Sequence, residues 1–85
     1  MTKDELKAEY GENNVFDNQF EMAKFAQEFC IRNKVERICE RFSNEKVKYN
    51  NDILYDLAEL LLSKNLAFFN DGCYIIEDLE ELKSL

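Results

Sequence analysis

Side chains that could do chemistry are few in this chain, and their spacing does not favour catalysis. There is no histidine, which removes the usual general base, the usual zinc ligand and any Ser-His or Cys-His couple. Three cysteines are present, Cys30, Cys39 and Cys73. Cys30 and Cys39 would fall on opposite sides of a continuous helix, and no pair has CxxC spacing. All three read as small buried thiols, so no metal or other cofactor is expected. An odd count without a secretory leader ahead of it points to reduced thiols in a cytoplasmic setting. With two glycines no phosphate-cradling loop can be drawn, and Asp71-Gly72 lacks the spaced carboxylates of a calcium loop. Carboxylates are abundant, but nothing marks two of them as an acid–base pair. An enzyme is not expected.

What remains is charge. The formal net charge is −7 and the pI about 4.5, a balance that opposes generic attraction to nucleic-acid phosphates or anionic membranes. The charge is unevenly placed. Residues 1–31 hold seven acids and three bases, residues 32–48 three acids and six bases, and residues 49–85 eight acids and two bases. Arg32, Lys34, Arg37, Arg41, Lys46 and Lys48 therefore make a basic middle between acidic ends. Either Arg37 and Arg41 pair locally with Glu36, Glu40 or the acidic tail, worth a few tenths of a kcal/mol each when exposed, or the chain presents a bipolar surface to a charged partner.

The 85 residues are one domain, 1–85, of a size that buries about 60% of the surface of its unfolded chain. Apolar residues make up 46%, with seven Phe and four Tyr to supply core volume, so the chain is expected to fold. Thr2-Lys3-Asp4-Glu5 matches a capping box, and a short helix should run to about Tyr10 and stop at Gly11. Its apolar content is thin, so residues 1–17 read as a weakly docked helix followed by a polar loop over 11–17.

Asn18, with Glu21 three residues on, opens a helix whose stripe is Met22, Phe25, Ala26, Phe29 and Cys30, flanked by Phe20. The stripe then shifts to Ile31, Val35, Ile38, Cys39 and Phe42. Either one helix rotates its buried face at Arg32-Asn33-Lys34, or two helices meet there. Asn33, a poor interior residue and a natural left-handed stop, favours two. Ser43–Asn50 reads as a polar connection, with Val47 and Tyr49 as its inward candidates. Asn50, Asn51 and Asp52 are N-cap candidates for a helix with Ile53, Leu54, Leu57, Ala58, Leu60, Leu61 and Leu62 on its apolar face, closed by Lys64 and Asn65. Leu66–Phe69 and Cys73–Ile76 flank Asn70-Asp71-Gly72, a strong signal for a type I′ hairpin. Both hairpin faces are apolar. One should pack on the helices, and the other needs a cover: the N-terminal helix, the C-terminal segment, a second copy or a partner. The tail, with Leu79, Leu82 and Leu85, should make one or two helical turns. The predicted class is mainly α with one C-terminal β-hairpin, an α+β domain, and no stretch can span a bilayer.

From about Phe20 to Ile76 the order helix, helix, polar turn, helix, hairpin resembles a winged helix-turn-helix domain, above all in LYDLAELLLSKNLAFFNDGCYII. That resemblance implies a third helix in the major groove and a wing tip on phosphate or minor groove. Carried over, nucleic-acid contacts would fall on Lys46, Lys48, Asn50, Asn51 and Tyr55, with the wing tip at Asn70 and Asp71. The chain departs from the pattern where Asp52, Asp56 and Glu59 occupy the outer side of that helix and Asp71 the tip, each carrying the wrong sign for phosphate.

In size, acidity and composition the chain also resembles the small inhibitors made by phages and mobile elements, anti-CRISPR proteins and other nucleic-acid mimics among them. Its richness in Asn, Lys, Ile and Phe resembles products of AT-rich genomes such as those of Firmicutes and their phages. That resemblance implies a protein partner, a basic nucleic-acid-handling enzyme of a bacterial host, met through Asp52, Asp56, Glu59, Asp71, Glu77, Asp78, Glu80 and Glu81. A third expectation is a homodimeric adaptor sharing Phe68, Phe69, Tyr74 and Ile76.

Overall fold

The N-terminal capping box forms as its spacing requires. The Thr2 hydroxyl accepts from the Glu5 N–H at 3.3 Å, and the Glu5 carboxylate accepts from the Thr2 N–H at 3.4 Å. The helix so started, α1 (Lys3–Tyr10), ends at Gly11, whose φ of 112° lies where side-chain-bearing residues are strained. A Cβ on Gly11 would also meet the Asn14 side chain at 2.9 Å. That side chain is needed where it is: its amide donates to the Ile76 carbonyl at 2.6 Å, while the Asn14 carbonyl accepts from the Ile76 N–H at 2.9 Å.

The computed structural model describes residues 2–42 and 51–85. Along them follow a 3-10 turn (Glu12–Asn14), β1 (Val15–Phe16), α2 (Gln19–Arg32), α3 (Glu36–Phe42), α4 (Asn51–Ser63), β2 (Phe68–Asn70), β3 (Cys73–Ile75) and a closing 3-10 helix (Leu79–Ser84). The protein is mainly helical with a small antiparallel sheet, the α+β class expected. The predicted connection Ser43–Asn50, with Lys46, Val47, Lys48 and Tyr49, lies outside the described residues.

α2 starts where expected, with the Asn18 side chain accepting from the Glu21 N–H at 3.0 Å. The 18–42 stretch is two helices. Their junction is a Schellman motif: Val35 N–H donates to the Cys30 carbonyl at 2.9 Å and Lys34 N–H to the Ile31 carbonyl at 3.1 Å. The left-handed residue is Lys34, with φ of 55°, rather than Asn33. Asn33 serves instead through its side-chain amide, which donates to the Phe29 carbonyl at 2.8 Å. Burial of Val35 decides this, because the motif then places the left-handed residue one position earlier. α4 ends by the same motif. Asn65 has φ of 58°, and Leu66 N–H reaches the Leu61 carbonyl at 2.9 Å.

The main core forms between α2 and α4, the helix pair in most extensive contact. Met22, Ala23, Ala26 and Cys30 meet Leu54, Leu57, Ala58 and Leu61, with Val35, Ile38, Ile76 and Leu82 closing round them. The buried stripe of α2 is turned from the expected one. Ala23 and the polar Gln27 are fully buried, while Phe25 and Phe29 sit partly buried at the margin. Two alanines admit the leucines of α4 more closely than two phenylalanines would.

The hairpin turns at Asp71 and Gly72, with φ of 48° and 83°, as a type I′ turn demands. Its strands are joined by β1, giving the order β1–β3–β2, with Val15 opposite Ile75 and Phe69 opposite Tyr74. The loop expected over 11–17 therefore holds a strand. Weak docking of the N-terminal segment is corrected too. Leu6 is fully buried in a second cluster with Val15, Cys73 and Ile75, edged by Tyr10 and Phe68, whose rings meet edge-on at 5.5 Å. α1 is thus the cover for one hairpin face.

Leu6→Ala should cost about 2–5 kcal/mol in urea unfolding, the range for a fully buried leucine. A frayed helix would lose no more than about 0.5 kcal/mol at such a position, so the two descriptions of the N terminus separate cleanly.

Candidate functional site

The α4 sequence alternates at helical period between residues that fill the core and residues that cannot. Leu54, Leu57, Ala58 and Leu61 are buried, and Asn51, Asp52, Tyr55, Asp56, Glu59 and Ser63 stand exposed on the other side. Asp52, Asp56 and Glu59 therefore share one outer face. At the helical rise they span about 10 Å of axis, or roughly 5 Å per charge. One strand of B-DNA carries a charge every ~3.4 Å, so the face is a sparser version of a phosphate row. Tyr55 sits among these carboxylates, 40% exposed, with its ring 4.2 Å from that of Phe20 on α2 and inclined at 61°. That contact ties the face to the helix beneath it.

The other predicted acids fall in two further places. Asp71 is exposed at the hairpin tip. Glu77, Asp78, Glu80 and Glu81 are exposed along the tail, where two have local duties. The Asp78 side chain accepts from the Glu80 N–H at 3.0 Å and caps the closing 3-10 helix, and Glu80 pairs with Lys83 at 2.7 Å. Both contacts are solvent-facing and worth little energetically, but they orient the tail. Leu82 is fully buried beneath it.

Of the alternative nucleic-acid contacts, Asn51 and Tyr55 lie on the α4 outer face, while Lys46, Lys48 and Asn50 lie outside the described residues. Arg32, Lys34 and Arg37 are exposed at the α2–α3 junction. Lys3 pairs with Asp17 at 2.7 Å, and that hydrogen bond raises the Lys3 pKa.

The shared apolar patch expected for a homodimer is corrected. Ile76 is fully buried in the main core, Phe68 is half-buried against Tyr10, and Tyr74 is half-buried. Phe69 alone of the four is largely exposed, at 60%, its ring 5.1 Å from that of Tyr74.

None of the three cysteines is in a disulfide. The turn at Lys34 folds α3 back, so Cys30 and Cys39 are not on opposite sides of one helix but within electrostatic reach of each other. Burial first, and the neighbouring Cys39 second, push the Cys30 thiol up to about 11. Such a thiol is inert at neutral pH. Among the described residues no group of three His, Cys, Asp or Glu side chains comes together as a metal site. No helix among them is long and apolar enough to cross a membrane.

The structure also brings forward residues that sequence reasoning missed. Asn14, holding both backbone groups of Ile76, looked like one more loop asparagine. Gln27, which lies off the apolar stripe expected of α2, is fully buried. A two-residue strand at Val15–Phe16 has no periodicity to read, and only the apolar pair itself signalled burial. No family model, curated protein or solved structure matches this chain significantly.

Native-state alkylation should modify Cys39, which is half-exposed, ahead of Cys30 and Cys73, as read by peptide mass. The Cys30 pKa also sets a pH dependence. The unfolded thiol ionises near 9.0 while the folded one holds its proton to about 11, so the unfolded state releases the proton first. Stability carried by the neutral thiol is complete below pH 9 and is lost as pH rises through about 11. The thermal midpoint should fall across that window, and less steeply in Cys30→Ala.

Proposed function

We propose that this chain is a non-enzymatic, acidic protein-binding protein of the kind made by phages and mobile elements. It blocks a basic nucleic-acid-handling enzyme in the cytoplasm of a bacterial host by presenting carboxylates where that enzyme takes phosphate. The observation that carries the reading is the outer face of α4, where Asp52, Asp56 and Glu59 share one exposed side of a helix whose other side is locked into the core. A fixed row of like charges loses little conformational entropy on docking and steers association with a basic groove over long range. Asp71, Glu77 and Glu81, also exposed, extend the same sign over the hairpin tip and tail.

A second reading keeps the winged-helix resemblance and makes the protein a DNA-binding regulator. The order α2, α3, α4 and hairpin favours it, as does the pairing of β1 along β3 at the base of the hairpin. The exposed Asp52, Asp56 and Glu59 on the helix that would enter the groove oppose it.

The readings diverge in one set of measurements. Replacing Asp52, Asp56 and Glu59 together by Lys should weaken binding to a captured host nuclease or polymerase at least tenfold. Added salt should weaken the wild-type complex in the same direction. Binding that ignores both changes would end the inhibitor reading. A sequence-dependent shift of a labelled duplex by micromolar protein at moderate salt would establish the DNA-reading alternative in its place.

A further inference from the structure

Among the described residues β2 is the outermost strand of the sheet, and its backbone polarity can be read from its neighbours. Ile76, one residue past β3, donates its N–H to the Asn14 carbonyl on the β1 side. Alternate residues of an antiparallel strand point their backbone groups to opposite edges. Tyr74 therefore faces β1 as Ile76 does, and Cys73 and Ile75 face β2, where they stand opposite Asn70 and Phe68. The two-residue turn at Asp71-Gly72 agrees, because Asn70 and Cys73, which flank it, form the hydrogen-bonded pair that closes such a hairpin. Phe69 lies between Phe68 and Asn70. Its N–H and C=O consequently point away from β3, at the free edge.

Three features meet at that residue. Its backbone donor and acceptor face outward, its ring is 60% exposed against Tyr74, and the stretch Asn65–Asn70 around it carries no charge. The neutral stretch matters in a chain of net charge −7, since two copies repel wherever their acidic surfaces would meet.

We infer that two copies of this chain pair through their β2 edges, antiparallel and two-fold symmetric about Phe69, joining two three-stranded sheets into one of six strands. The alternation requires the two-fold axis to pass through a residue, and Phe69, the middle residue of β2, is the centre that sets the two exposed rings side by side. Phe69 of one copy then donates to and accepts from Phe69 of its partner, and the two rings fall on the same face of the joined sheet. A pairing centred between two residues would set side chains of opposite faces against each other. The charges that bracket the neutral stretch, Lys64 before it and Asp71 after it, fix the direction. Antiparallel strands bring the basic end of each copy alongside the acidic tip of the other. This self-complementarity favours a second copy over an unrelated peptide strand, which would need no symmetry at Phe69.

The strand is three residues long, so the interface is smaller than that of a stable dimer, and association should lie in the micromolar-to-millimolar range. Exposed edges are commonly blunted by shortness or charge. Here the first device is present and the second is absent.

The surface is separate from the acidic face of α4, and salt separates the two. Screening relieves repulsion between two copies of charge −7, so self-association should strengthen with added salt, the opposite of binding to a basic partner. Sedimentation equilibrium of the full chain across micromolar to millimolar concentration, at low and moderate salt, tests this. The expected result is a monomer–dimer equilibrium that tightens with salt and is weakened at least tenfold by Phe69→Lys, with the circular dichroism spectrum unchanged. Amide exchange of the wild-type chain supplies the second readout, with the Phe69 N–H becoming protected only at high concentration. A monomer throughout the range, a dimer indifferent to Phe69→Lys, or a Phe69 amide whose exchange ignores concentration overturns the inference.

Discussion

The run Cys73–Ile76 is apolar on both sides of a strand, and the architecture follows from having to cover both. Cys73 and Ile75 point one way, Tyr74 and Ile76 the other. The helical bundle can take one face only, so the second must be met by chain from elsewhere. α1 meets it through Leu6, with β1 threaded between to supply Val15 to one face and Phe16 to the other. Asn14 clamps the arrangement by taking both backbone groups of Ile76. In a domain of 85 residues there is little core to spare, and a strand buried on both faces lets one short segment serve two clusters.

The same economy fixes α4. Its leucines seat against Ala23 and Ala26 of α2, where small residues let the helices approach. The outer face cannot rotate without exposing that contact. Asp52, Asp56 and Glu59 are thus held by burial on the opposite side of their own helix, and Tyr55 adds an aromatic brace through Phe20. A carboxylate row on a rigid helix keeps its spacing when it docks. Carboxylates on the tail are steadied more loosely, by the Asp78 cap and the Glu80–Lys83 pair.

Local chemistry was legible where it acts over a few residues. The Thr2 box, the Asn18 cap, the break after Arg32, the Asn65 stop and the Asp71-Gly72 turn each rest on a side chain answering a backbone group nearby, and periodicity located both faces of α4. What distance in the chain decides was not legible. β1 is two residues long and is a strand because β3 lies beside it. α1 is docked because one leucine finds the far face of the hairpin, which its thin apolar content does not reveal. The α2 stripe was misplaced because hydrophobicity ranks phenylalanine over alanine, whereas a close helix crossing selects the smaller residue. Lys34 took the left-handed position from Asn33 because Val35 had to be buried, a tertiary demand overriding the greater ease of asparagine in that conformation. Exposure of the candidate acids, and their division among helix face, hairpin tip and tail, could be read from residue type, the helical period and the Asp71-Gly72 turn.

Charge placement then assigns different physics to different surfaces. A net charge of −7 raises the cost of contact with any acidic surface, another copy included, and lowers it for a basic one. The edge from Asn65 to Asn70 carries no charge, and there the outward backbone groups of Phe69 can be satisfied by water or by another strand. Hydrogen bonding at such an edge is short-ranged and insensitive to net charge, whereas attraction to the α4 face acts over about a Debye length, ~8 Å at physiological salt. An acidic face and a neutral edge on one small domain therefore need not compete. If the first meets a basic partner and the second another copy, the first would act before contact and the second only at contact, and opposite responses to ionic strength would follow from where the charges were placed and where they were left out.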